Sequence, residues 1–135
     1  MRFRGNVGAK MIENEITGII VREAVHIHKS IGPGMLESVY VNCLLFRLKK
    51  KGLCVRKEVA VPLIFEEVKI DCGYRADLLV EEKVVIEVKS VDLIAPVHLA
   101  QTLTYIRLLH LKVGLLLNFN SILMKDGIRR VVNNL

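Results

Sequence analysis

Between Glu13 and Ser30 the apolar residues Ile16, Ile19, Ile20, Val21, Ala24, Val25 and Ile27 recur at helical spacing and mark one face of an amphipathic helix. Ile31-Gly32-Pro33-Gly34 breaks that pattern, because a proline between glycines reads as a turn. A second helical stretch, carried by Met35, Leu36, Val39, Tyr40, Cys43, Leu44, Leu45 and Leu48, runs to Lys51-Gly52, where glycine suits a C-terminal cap. Short β-branched runs follow. Val55 to Phe65 predicts one or two strands with a break at Pro62, and Gly73 to Val80 and Val84 to Val91 predict two more around a hairpin at Glu81-Glu82-Lys83. Helical spacing returns from Pro96 to Leu111, with the proline suited to a first turn, and the apolar run Val113 to Asn118 predicts a last, buried strand. The order α-α-β-β-β-α-β is that of an α/β protein built on a mixed sheet flanked by helices.

Composition narrows this picture. The chain has 135 residues, of which 52% are hydrophobic, enough for one core. No repeat, low-complexity tract or linker divides it, so a single domain over 13–135 is expected, with 1–12 as an N-terminal extension. No apolar run approaches the roughly 20 residues of a membrane-spanning helix, and the basic N-terminus has no apolar segment of the secretory kind behind it. A cytoplasmic location is therefore expected. Cys43, Cys54 and Cys72 have neither a disulfide-framework nor a zinc spacing and are expected to be reduced and buried. The net charge of +6, concentrated at Lys49-Lys50-Lys51, Arg56-Lys57 and Arg129-Arg130, suits a polyanionic partner, although cations at a helix end also simply complement its dipole.

The chemistry centres on the strand Val84-Val85-Ile86-Glu87-Val88-Lys89, where Val84, Ile86 and Val88 face one way and Glu87 and Lys89 the other. Asp77 interrupts the apolar strand before it. A three-residue loop, Glu81 to Lys83, sets Asp77 opposite Glu87 at about 5 Å between Cβ atoms. A two-residue turn at Glu81-Glu82 would set Ile86 there instead and turn Glu87 away, so the reading requires an odd loop or a bulge. Facing carboxylates repel, and a hard divalent cation such as Mg²⁺ relieves that repulsion through oxygen ligation. A lysine two residues on can activate a water or stabilise charge building on a phosphate, which is what phosphodiester hydrolysis needs. The alternative is a solvated strand face with both charges exposed, since short motifs recur by chance.

Two more pairs bear on this choice. Gln101 and Tyr105 are four apart, on one face of the helix that follows the charged strand, and Glu37 and Tyr40 are three apart on the second helix. A glutamate near a helix start and half-buried tyrosines are also ordinary structural features. His26, His28, His98 and His110 lack the i, i+4 spacing of helical metal ligands and read as structural or surface residues.

Gly34-x-x-Glu37-x-x-Tyr40, Gly73-Tyr74-Arg75-Ala76-Asp77-Leu78, Glu87-Val88-Lys89, Gln101-x-x-x-Tyr105, Asn118-Phe119-Asn120 and Lys125-Asp126-Gly127-Ile128-Arg129-Arg130 together resemble the GxxExxY protein family. That family is a branch of the PD-(D/E)xK nuclease superfamily, similar to RecB-type nucleases with their Q-x-x-x-Y helix. The resemblance runs from about Glu13 to the end of the chain and implies a restriction-endonuclease-like fold. It implies that Asp77 and Glu87 bind Mg²⁺ or Mn²⁺ with help from the Val88 carbonyl, and that Lys89 serves the attacking water. Glu37 would add a carboxylate, Gln101 and Tyr105 would orient the lysine or contact the phosphate backbone, and Gly34 and Tyr40 complete the motif. Ala76 stands where the superfamily's name has proline, which offers no ligand.

A metal-dependent deoxyribonuclease is the reading these residues favour, and a homodimer is expected by analogy with resolvases of the superfamily. A catalytically silent module that keeps the fold and holds nucleic acid or a partner chain is the alternative. A purely structural protein gives no reason for Asp77, Glu87, Lys89 and Gln101 to occur together.

Overall fold

The structure, a computed structural model, describes residues 11–134, so most of the expected N-terminal extension lies outside the described residues. Helix α1 spans Glu13–Ile31 and α2 spans Glu37–Lys50. The Glu15 carboxylate caps α1 by accepting from the Ile12 N–H at 2.9 Å, and Glu37 opens α2 where a negative charge suits the helix dipole. The strands are β1 Val55–Ala60, β2 Leu63–Phe65, β3 Val68–Ile70, β4 Arg75–Val80 and β5 Val84–Lys89. Helix α3, Pro96–Leu108, crosses over to β6, Val113–Asn118, and a short 3₁₀ turn at Met124–Gly127 leads into β7, Ile128–Val132.

Five strands form one mixed sheet in the order β1-β4-β5-β6-β7. Only β5 and β6 run parallel, as the α3 crossover between them requires. Helices α1 and α2 bury Ile16, Ile20, Tyr40, Leu44 and Leu48 against one face, which presents Leu78, Ile86, Val88, Leu115 and Leu117. Helix α3 covers the other face, where Tyr105 and Ile106 meet Ala76, Leu79 and Val85. Both faces are thus dry, and β5 lies at the centre of the sheet.

Val55 to Phe65 forms two strands, β1 and β2, on either side of Pro62, and β3 and β7 are further strands that the expected order lacks. Strand β3 pairs with β2 in a separate two-stranded ribbon whose turn places Glu66 and Glu67 at φ 50° and 67°, a left-handed turn without the Asn-Gly or Asp-Gly signature that would announce it. Ile64, Phe65 and Val68 of this ribbon are exposed. Strand β7 is a sheet edge, and Arg129 and Arg130, exposed along it, interrupt the apolar pattern that marks a strand. The cysteines also depart from expectation. All three are free, but Cys54 lies exposed between α2 and β1, Cys72 lies exposed in the loop before β4, and Cys43 is half-buried. No described helix is long and apolar enough to cross a membrane.

Close packing of α3 onto the sheet depends on Gly114 in β6. A Cβ there would come within 2.7 Å of Val85 Cγ1 and 3.0 Å of Ile106 Cδ1. Gly114→Ala is therefore expected to destabilise the protein by about 1–3 kcal/mol through overpacking, measured as a lower urea midpoint; an unchanged midpoint would show that α3 is free to shift.

Candidate active site

The β4–β5 register is Val80–Val84, Leu79–Val85 and Leu78–Ile86, so the connecting loop is the three residues Glu81 to Lys83. Continued by one step, that register sets Asp77 opposite Glu87. There the regular ladder stops and side chains take over. The Asp77 N–H donates to Glu87 Oε2 at 2.8 Å, and the Val88 N–H donates to Asp77 Oδ2 at 2.8 Å. Each carboxylate thus holds an amide of the opposite strand, which fixes both head groups in the gap between β4 and β5.

Glu87 is not on a solvated face: it is only 4% exposed. Strand β5 is covered on both sides, so the residues alternating with its core-facing Val84, Ile86 and Val88 are buried under α3. Burial, then the neighbouring Asp77 charge, drives Glu87 up to about 8, against the pull of the Asp77 amide and Lys89. Burial also raises Asp77, opposed by its Val88 hydrogen bond and by Lys89. Lys89, half-buried one turn of the pleat beyond Glu87, is the cation acting on both acids.

Glu37 reaches the same place from α2, where its Oε2 accepts the Ser90 N–H at 3.1 Å and its charge raises both Asp77 and Glu87. Its position depends on the Gly32-Pro33-Gly34 turn. The buried Tyr40 hydroxyl donates to the Gly32 carbonyl at 2.6 Å and accepts the Met35 N–H at 3.1 Å, and its ring stacks on Phe119 with centroids 4.4 Å apart. Gly34 takes φ 98°, which a side chain would strain. Gly34 and Tyr40 therefore build the turn and stand back from the acids. From the other side α3 brings Tyr105, whose hydroxyl accepts from Gln101 Nε2 at 3.2 Å. Burial and the charge of Glu87 push Tyr105 up to about 12.

Asp77, Glu87, Lys89, Glu37, Tyr105 and, through Tyr105, Gln101 thus converge, while Val88 contributes its backbone and buries its side chain in the core. Two participants had no role assigned from the sequence. Glu58 lies across from Asp77, between the pairs Lys57–Leu78 and Val59–Ala76, and its charge also raises Asp77. Asn118 is 2% exposed, pairs with Lys89 in the parallel ladder, and clamps the exit of β5 by bonding the Val91 N–H at 3.1 Å and the Val91 carbonyl at 2.9 Å. The Asn118-Phe119-Asn120 triplet signalled that this segment is special without indicating its task. The histidines stay apart: His28 Nε2 is 2.8 Å from the Ser121 carbonyl, and His98 Nδ1 accepts the Ala95 N–H at 3.0 Å. Among the described residues no three His, Cys, Asp or Glu side chains close into a metal-sized cluster, and Glu37, Asp77 and Glu87 each bind an amide.

The sequence profile of the PD-(D/E)XK nuclease superfamily matches residues 14–131. The chain belongs to that superfamily. Its mixed five-stranded sheet between helices agrees with the superfamily's fold, and neither the curated proteins nor the solved structures provide a match. Membership supports a nuclease-type function acting on nucleic acid.

Because Glu87 keeps its proton up to about pH 8 in the folded protein but loses it near 4.5 once exposed, the folded state binds the extra proton between those values. That stabilisation is complete below 4.5 and is lost as pH rises through 8, at no more than about 1.4 kcal/mol per pH unit. Urea melts in EDTA should show wild-type stability falling from pH 5 to pH 8, with Glu87→Gln much flatter; parallel profiles would remove Glu87 as the cause.

Proposed function

We propose that this chain is a metal-dependent nuclease of the GxxExxY branch that hydrolyses phosphodiester bonds in DNA. The observation that carries the reading is the pair Asp77 and Glu87, held face to face by each other's strand amides with Lys89 beside them.

The donor set suits a hard divalent cation. The buried Glu87, raised to about 8, and the half-buried Asp77, also raised, have more negative charge between them than Lys89 offsets. Mg²⁺ is commonly held by one or two carboxylates, with waters and substrate phosphate completing its shell, so no third acid has to close in. Mg²⁺ or Mn²⁺ held by Asp77 and Glu87, with the Val88 carbonyl as a further oxygen and Glu37 outside that shell on the Ser90 N–H, would neutralise phosphate charge and acidify a bound water.

Lys89 extends from the same strand, so its ammonium can orient the attacking water and balance negative charge growing on the phosphate. Gln101 restrains the Tyr105 hydroxyl by hydrogen bond, and the raised Tyr105 stays a neutral donor that can meet a phosphate oxygen without repelling it. Asn118 holds the end of β5, and with it the backbone that carries Lys89 and Ser90.

Cleavage of labelled single-stranded, duplex and branched DNA in Mg²⁺, Mn²⁺ or EDTA tests the proposal. Wild type is expected to cut with either metal and not with EDTA, Asp77→Ala to be inactive while still folded, and Lys89→Ala to lose about 100-fold or more. Full activity in Asp77→Ala sinks the assignment. Salt-sensitive binding without any metal-dependent turnover indicates the silent binding module instead.

A further inference from the structure

Beside the carboxylates, between β4 and α3, lies a cavity of about 310 Å³ whose walls include Tyr74, Val97, His98, Gln101, Thr104 and Tyr105. It adjoins the acids through Tyr105, which packs in one cluster with Ala76, the residue before Asp77. Tyr74 stands at its mouth, immediately before β4. Its ring is 50% exposed and meets Tyr105 at 6.1 Å between centroids, tilted by 47°. Val97, 67% exposed, supplies an aliphatic wall from the first turn of α3.

The chemistry of the lining decides what fits. No Lys, Arg, Asp or Glu contributes to it, so the cavity is poorly suited to a phosphate or a peptide charge. It offers an aromatic face, an aliphatic wall and, at its rim, the neutral amide of Gln101 and the hydroxyl of Thr104. The Thr104 hydroxyl already donates to the Ala100 carbonyl at 3.0 Å, which leaves its lone pairs free to accept. A flat, uncharged group with donors and acceptors on its edge matches that surface, and a nucleobase is such a group. We infer that this cavity is a subsite for an unstacked nucleobase next to the phosphate addressed by Asp77 and Glu87, so that the substrate is single-stranded or locally unpaired nucleic acid.

A base can enter only when it leaves its stack, because in a regular duplex both of its faces are covered. Two of the basic clusters lie away from the site. Lys49, Lys50 and Lys51 lie at the end of the 14-residue α2 opposite Glu37, about 20 Å away along the helix. Arg56 is paired with Glu82 at 2.7 Å in the β4–β5 loop, likewise at the far end of the strands. Neither of these two clusters leads into the site, whereas the exposed Arg129 of β7 stands level with Glu87 through Leu116 and is placed to meet a backbone phosphate.

The inference rests on the nuclease reading, and its test separates the two. Single-stranded DNA and RNA oligonucleotides carrying 2-aminopurine beside the cut position would be given to wild type, Tyr74→Phe and Tyr74→Ala, with folding of each checked by thermal melt. Wild type and Tyr74→Phe are expected to quench the fluorescence; Tyr74→Ala should lose the quenching and raise KM about tenfold or more with kcat nearly unchanged. An abasic nucleotide at that position should erase the difference between wild type and Tyr74→Ala. Equal KM and quenching in Tyr74→Ala, or a preference for intact duplex, overturns the subsite while leaving the nuclease standing. Tyr74-dependent quenching without cleavage upholds the subsite and removes the nuclease, and a wild type that neither binds nor cuts overturns both.

Discussion

Two carboxylates on neighbouring central strands face each other, and each is held by an amide proton of the other strand. Burial of ionisable groups is unfavourable unless hydrogen bonds or opposite charge compensate, and here the compensation is partial. Both acids remain raised despite those bonds and Lys89. A gap in the ladder is the geometrical consequence. On one side of Asp77 the regular pairing with β5 ends at Leu78–Ile86, and on the other the pairing with β1 skips Glu58, which takes the unusual φ of 54°. Local rules of strand pairing give way where the acids converge, as they do at sites kept for function rather than for stability.

The rest of the molecule keeps that unfavourable arrangement in place. Apolar pairs Val80–Val84 and Leu79–Val85 hold the β4–β5 hairpin in register up to the gap, and helices pack on both faces of the sheet. The parallel partner β6 runs beside β5 for its whole length and ends in Asn118, which bonds the chain leaving β5. Tyr40 pins the glycine-rich turn so that Glu37 meets Ser90, and Gly114 lets α3 lie close enough to bring Tyr105 beside Glu87. Four separate stretches of chain thus supply the polar groups of one small region.

Basic residues follow a different logic. Many are engaged away from the acids: Arg47 with the buried Glu23 at 2.7 Å, Arg56 with Glu82, and Lys57 with Asn42 at 2.8 Å. Their surplus gives the protein its positive charge without lining the cavity beside the acids. Long-range attraction of a polyanion and close recognition are therefore separable properties of this surface.

Helices α1, α2 and α3 and strands β4, β5 and β6 were legible in the sequence, because each depends on periodicity within a short stretch, whereas the hairpin had two possible registers, of which the fold adopts the one that sets Asp77 opposite Glu87. Superfamily membership was legible for the same reason, since its motifs are local strings. Strands β3 and β7 were not, one because glutamates make its left-handed turn and the other because an edge strand with exposed arginines carries no burial pattern. Nor could the sequence show that Glu87 is buried, that Cys54 and Cys72 are exposed, or that Glu58 stands across from Asp77. The β2–β3 ribbon intervenes between β1 and β4, so their register cannot be counted along the chain, and burial depends on what covers a strand from elsewhere. Packing of α3 over β5 is a contact between distant parts of the chain, and it buries Glu87 beside the half-buried Asp77 so that both acids are raised.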